Sequence, residues 1–222
     1  MSDFESAARA VVDGELEMLE RMLLANPNLV TARSPNHGAT LLHYVGANGP
    51  VEDDMQRSPA NAVAIAETLI QRGADVDAVI DGEPASTPLV SLVTSEFPAE
   101  AGVQRELVEL FLNCGASVNG LNDDGYPLAA ALLFGYPDAI DALIAGGARI
   151  DNLVAAAALG KMDYLQGCFD DVGNLTSSAL PYPDPFGREF CNQEVIQVAI
   201  EHAKQYLQEE AVEFLTLKSS TK

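Results

Sequence analysis

Tryptophan is absent from this chain of 222 residues, and aromatic residues make up only 6% of it. Abundant alanine takes their place, which suits thin helices packed closely together. Basic residues are scarce: 12 Lys and Arg stand against 33 Asp and Glu, for a formal charge of −21. That excess argues against nucleic-acid binding, where a basic footprint is expected. It also argues against anionic membrane surfaces, and it favours a basic protein partner electrostatically. General solubility, or a salt-rich cytoplasm, would account for the same charge. No apolar run approaches the ~20 residues of a membrane span. The start, Met1-Ser2-Asp3-Phe4-Glu5, lacks a basic stretch leading into an apolar one, so no secretory leader is expected and a cytoplasmic location is. Cys114, Cys168 and Cys191 are odd in number and have no metal-type spacing, so thiols at least partly buried in a reducing compartment are expected.

Candidate chemistry is equally sparse. His37 and His43 lie six apart and His202 is distant. Glu52-Asp53-Asp54 has neither the Gly-interrupted loop nor the terminal Glu of a calcium site. Gly146-Gly147 ends a helix rather than opening one over a phosphate. No Ser or Cys sits in a recognisable nucleophile turn. No cofactor, metal or catalytic residue is therefore expected, and the chain reads as a non-enzyme.

What is present is repetition. Three copies of Gly-Ala-x-(Val/Ile)-(Asp/Asn) occur, as Gly73-Ala74-Asp75-Val76-Asp77, Gly115-Ala116-Ser117-Val118-Asn119 and Gly147-Ala148-Arg149-Ile150-Asp151. Each follows a helical stretch ending in a large apolar pair: Leu69-Ile70, Phe111-Leu112 and Leu143-Ile144. The glycine supplies a left-handed residue that ends a helix at little cost. In the clearest copy Tyr126-Pro127-Leu128 opens a first helix, Gly135 breaks it, and a second helix from Asp138 places Ile140, Leu143 and Ile144 on one face. Recurrence at this scale signals stacked units rather than one globular core.

Thr40-Leu41-Leu42-His43 and Thr87-Pro88-Leu89 precede earlier helices. Thr caps with its hydroxyl, Pro suits the first turn, Leu packs inward, and His returns a hydrogen bond. With the Gly-Ala patterns, these residues resemble the Thr-Pro-Leu-His motif of the ankyrin-repeat family. The resemblance covers roughly residues 4–170 and more weakly 193–218, and divides the chain into repeats over 1–170, as units near 4–30, 36–77, 82–119, 122–151 and 152–170, and a cap over 193–222. It implies an all-α ankyrin-repeat solenoid of helix-turn-helix units with short hairpin fingers and a helical C-terminal cap. Residues 171–192, with Leu180-Pro181-Tyr182-Pro183-Asp184-Pro185-Phe186-Gly187, read as a Pro- and aromatic-rich connection, either a wrapping link to the cap or a contact loop.

The units differ in length. Gly147 lies 21 positions after Tyr126, Gly73 lies 33 after Thr40, and Gly115 lies 28 after Thr87. The two longer units gain their extra residues between helices, near 50–59 and 96–102. Stacking is expected to bring these insertions together, either as one acidic ledge with Met55 and Phe97 exposed in it or as segments folded back over helix ends that only seal the core.

The resemblance implies a non-catalytic protein-interaction module, monomeric, that binds a protein partner through its concave face, its fingers or its insertions. The candidate contacts are Tyr44, Asn48, Glu52, Asp53, Asp54, Met55, Phe97, Glu100, Asp123, Asp124, Tyr126 and Phe134. Asp81, Glu83 and Asn122 belong with the finger positions, and Ser91 and Ser95 with the first-helix surface. The competing reading is an acidic inhibitor or immunity-type protein that blocks a basic enzyme.

Overall fold

The computed structural model describes residues 2–48, 51–80, 86–179 and 182–220. The finger positions Asp81 and Glu83 lie outside them. Among the described residues the chain is all-helical, with no strand and only two isolated bridges, Ile80 with Ser86 and Phe169 with Leu175. The helices are α1 Asp3–Asp13, α2 Leu16–Ala25, α3 Leu41–Gly46, α4 Ala62–Gln71, α5 Pro88–Val93, α6 Glu96–Glu100, α7 Gln104–Asn113, α8 Tyr126–Phe134, α9 Pro137–Ala145, α10 Leu153–Ala158, α11 Met162–Gly167, α12 Asn192–Gln205 and α13 Glu209–Ser220. Short 3₁₀ turns cover Pro27–Val30, Asp53–Met55 and Ser177–Ala179.

The chain divides into two compact units. The first holds the residues up to Val118 together with Tyr136–Gly147. The second holds Asn119–Gly135 and everything from Ala148 onward. In the first unit α1 packs on α3 and α3 on α5, while a second row runs α2, α4, α7, α9. The rows are joined by the helix pairs α1–α2, α3–α4 and α5–α7. In the second unit α8 packs on α10 and α10 on α12, with α11 on α13 beside them.

Local sequence explains where the helices begin. Ser2 accepts from the Glu5 N–H at 3.1 Å, Thr87 from Val90 at 3.3 Å, and Asn152 from Ala155 at 2.9 Å. Each satisfies an amide that a helix start leaves bare. At Thr40 the histidine does the work: the Thr40 N–H donates to His43 Nδ1 at 3.2 Å, and the hydroxyl lies 2.9 Å from the same nitrogen. With Nδ1 accepting, Nε2 carries the proton and faces the Ser86 carbonyl at 3.5 Å. His43 is fully buried, and burial pushes its pKa down to about 4.

The helix ends follow the repeated pattern. Gly73, Gly115 and Gly147 hold φ of 96°, 96° and 97°. The amides of Ala74 and Ala116 reach back to the carbonyls of Leu69 and Phe111, both at 3.0 Å. The final residue of the first two copies also reaches the copy that follows. Ser117 donates its N–H to Asp77 Oδ1 at 3.0 Å and its hydroxyl to Oδ2 at 2.6 Å. In the second unit the Arg149 N–H donates to Asn119 Oδ1 at 2.9 Å. The Asp/Asn of one copy thus holds the third residue of the next.

Close approach explains the small residues. A Cβ placed on Gly46 of α3 would come within 2.9 Å of the Leu92 nitrogen and the Ser91 carbonyl carbon of α5. In α10 every residue is buried, Leu153 through Ala158, so its alanines let neighbouring backbones draw near. The cap packs through Ala199, Ala203 and Leu215, with Val212 and Phe214 partly buried against the same cluster.

Candidate functional site

A polar cleft lies in the first unit, where α1, residues 34–36, α3 and the Asp53–Met55 turn meet. It encloses about 190 Å³. Its walls carry Glu5 and Arg9 from α1, Asn36, Tyr44 from α3, and Glu52 and Asp54 from the first insertion. Four of the residues expected from sequence, Tyr44, Glu52, Asp54 and Met55, come together here.

Tyr44 sits on α3 with its ring 1% exposed and edge-on to Phe4 at 5.8 Å. Its hydroxyl donates to Glu52 Oε2 at 2.7 Å, and Asn36 donates to Oε1 at 3.3 Å. Burial and the Glu52 carboxylate raise the Tyr44 pKa, so the phenol stays protonated. Partial burial opposes ionisation of Glu52, yet the hydrogen bonds from Tyr44, its own backbone and Asn36 outweigh it and hold its pKa below the usual range. Arg9 bridges Asp54 at 2.7 Å and Glu5 at 3.6 Å. Glu5, Glu52 and Asp54 together outnumber Arg9, so the cleft favours a cationic group.

The first insertion is a seal. Met55 is 1% exposed and Val51 3%, which overturns the expectation of Met55 as an exposed anchor. The insertion closes onto the end of α1: Arg57 pairs with Asp13, and Asn61 donates to the Gly14 carbonyl at 2.9 Å. Burying Met55 removes its whole apolar surface from water, which outweighs any gain from leaving it free to bind. Asp53 remains exposed.

The second insertion, expected only to lie between helices, itself folds into a short helix, α6. Pro98 is buried and Phe97 is partly covered, so Phe97 is no free anchor either, while Glu100 stays exposed. Gln104, which the sequence reading passed over, fastens this segment: its Nε2 donates to the Leu92 and Ser95 carbonyls, each at 3.0 Å. A lone Gln at a helix start gave no signal of that role. The polar bonds of the first insertion run to α1 and to Asn36 and Tyr44, and those of Gln104 to α5 and Ser95. None of them joins the two insertions into a ledge.

The first-helix positions also need correction. Ser91 and Ser95 are 3% and 1% exposed and Tyr44 is buried, because α1, α3 and α5 cover one another. Asn48 is partly buried, and its Nδ2 donates to the Thr94 carbonyl and hydroxyl at 2.9 Å. In the second unit Asn122 and Asp123 are exposed, with Leu121 47% and Phe134 43% exposed. Asp123 holds φ of 56° and pairs with Arg149 at 2.5 Å. Asp124 accepts from the Tyr126 N–H at 3.0 Å, which is turn chemistry. Tyr126 is half-buried, its hydroxyl donating to the Pro185 carbonyl at 3.3 Å.

Cys168 is buried, which raises its pKa to about 11, whereas Cys114 and Cys191 are exposed, contrary to the expectation for all three thiols. Among the described residues no three His, Cys, Asp or Glu are grouped to hold a metal ion. No described helix is long and apolar enough to cross a membrane. Compared with family models and with curated proteins, the chain matches none.

Proposed function

We propose that the helix pairs are ankyrin-type repeats of a solenoid and that the chain is a non-catalytic module for binding a basic protein. The observation that carries this reading is the link between successive Gly-Ala patterns, Asp77 to Ser117 and Asn119 to Arg149. One side-chain position serves the same purpose in two copies, as a repeat architecture requires. Rows of like helices within each unit support the same reading. Repeat surfaces bind along their length, and an acidic chain attracts basic partners over a distance. The acidic cleft beside Glu52, with the exposed Asn122, Asp123 and Phe134 of the second unit, supplies the contact chemistry. The charge of −21 also favours a narrower role, an acidic inhibitor that occludes a basic enzyme.

Affinity capture from native cytosol at low and high salt tests both. The module reading expects a discrete basic partner that binds in fixed stoichiometry and weakens as salt rises. Loss of an enzymatic activity of that partner on binding would select the inhibitor role. Capture that yields no stoichiometric partner at either salt overturns the proposal.

A further inference from the structure

In the second unit residues 182–190 form a strap across α12, and its anchoring is unusual. Asp184 has a fully buried side chain that gathers the strap onto itself. Its Oδ2 accepts from the N–H groups of Phe186 and Arg188, each at 3.0 Å, and Oδ1 accepts from the Arg188 guanidinium at 2.7 Å. The same guanidinium lies over the Phe186 and Phe190 rings, 5.3 and 5.1 Å from their centres. Tyr126 of α8 ties down the Pro185 carbonyl. These contacts make the strap a rigid local body. Its contact with α12 runs through Tyr182, whose ring meets His202 edge-on at 6.3 Å between centres.

That contact contains two orphans. Tyr182 is 9% exposed and His202 5%, yet neither Tyr182 Oη nor His202 Nε2 has a hydrogen-bond partner in the protein. His202 Nδ1 lies 3.0 Å from the Val198 carbonyl. A carbonyl only accepts, so Nδ1 carries the proton and Nε2 of the neutral ring is a lone-pair acceptor. Tyr182 brings a donor and His202 an acceptor to the same buried contact. Each orphan is destabilising when left bare in a buried site. One water between them would satisfy both.

We propose that a buried water bridges Tyr182 Oη to His202 Nε2, and that this bridge latches the strap to α12 at neutral pH and releases it on acidification. Release follows from charge. A protonated His202 would hold its cation in a site nearly sealed from solvent, and burial already holds its pKa below the ordinary value. Glu201 on α12 and Asp184 on the strap favour the cation, while Arg188 spends its charge on Asp184. Neither α8 nor α10 carries a charged side chain, and Glu209, Glu210 and Glu213 of α13 are exposed. The compensating charge is therefore small. Opening the strap withdraws Tyr182 from His202 and lets the imidazolium reach water.

Hydrogen exchange of the Phe186 and Arg188 amides tests the latch, with rates corrected for the intrinsic effect of pH. Between neutral pH and about pH 5, their protection is expected to fall ~10-fold while that of α1 amides holds. His202→Gln keeps polar capacity without titrating and should flatten that response. Tyr182→Phe removes one end of the bridge and should lower strap protection already at neutral pH. Protection that does not change with pH in the unmodified protein overturns the latch, as does an unchanged response in His202→Gln. Should that variant not fold, the NMR titration of His202 in the unmodified protein decides: a midpoint that differs from that of strap loosening also overturns it. A crystal structure with no density between Oη and Nε2 overturns the bridge itself.

Discussion

Single side chains in this protein carry unusually separable tasks. Asp77 both receives a backbone amide and a hydroxyl from Ser117, so Asp77→Ala leaves a half-buried N–H without its acceptor. A loss of about 1–3 kcal/mol is expected, read as a lower denaturant midpoint. Gly147 isolates backbone strain, because a Cβ there meets nothing within 4 Å while φ is 97°. Gly147→Val should therefore cost about 1–3 kcal/mol through conformation alone. An unchanged melting midpoint would show that Gly147 does not hold the left-handed state. His43 adds a pH term. Its folded pKa of about 4 lies below the unfolded value, so the unfolded chain takes up the proton first as pH falls. The stability His43 contributes is complete above about pH 6.5 and is lost progressively toward pH 4, roughly 3 kcal/mol in all. Chemical denaturation across that window should show a shallower acid loss in His43→Gln than in the unmodified protein.

At the scale of elements, helix spacing and the insertions decide stability. The Gly46 position lets α3 and α5 approach until a Cβ would sit 2.9 Å from backbone atoms. Backbone cannot yield as a flexible side chain can, so Gly46→Ala is expected to destabilise by about 1–3 kcal/mol. The first insertion acts as a plug. Met55→Ala should cost about 2–5 kcal/mol, the range for emptying a packed site. Shortening the 50–59 segment to ordinary repeat length should likewise unfold or loosen the first unit, and a shortened chain with an unchanged melting midpoint would contradict the plug. By contrast the ion pair of Arg9 with Asp54 is solvent-exposed on the acidic side, and its removal alone should change little.

The whole molecule is governed by charge. Arginines at 9, 57, 105, 149 and 188 are engaged with aspartates of their own chain, and the 12 Lys and Arg in all fall well short of the 33 Asp and Glu. Self-repulsion and partner attraction then respond oppositely to salt. Added sodium chloride is expected to raise the thermal midpoint of the free protein while weakening the proposed complex with a basic partner. A partner affinity indifferent to salt would remove charge from the recognition mechanism.

Much of the helical order was legible in the residues themselves, because the relevant physics is local. Gly at the left-handed ends, Thr at the starts, and the apolar pairs before each Gly act within one turn of chain. The Tyr126–Phe134 and Pro137–Ala145 helices accordingly match the reading from periodicity. The cleft was half legible. Tyr44, Glu52 and Asp54 stood out by type, but Arg9 and Asn36 joined them only through the path of the chain. Whether a side chain is covered depends on neighbours far away in sequence, so Met55, Ser91 and Ser95 were misplaced on the surface. The same holds for Asp77 and Asn119, whose pattern marked them but whose partners lie 40 and 30 residues onward. By itself the sequence determined where the helices of the repeated pattern start, stop and recur, since those are short-range conformational preferences, whereas α6 in the second insertion was not foreseen. Tertiary packing alone decided which polar groups face solvent, because burial is a property of contacts between distant segments.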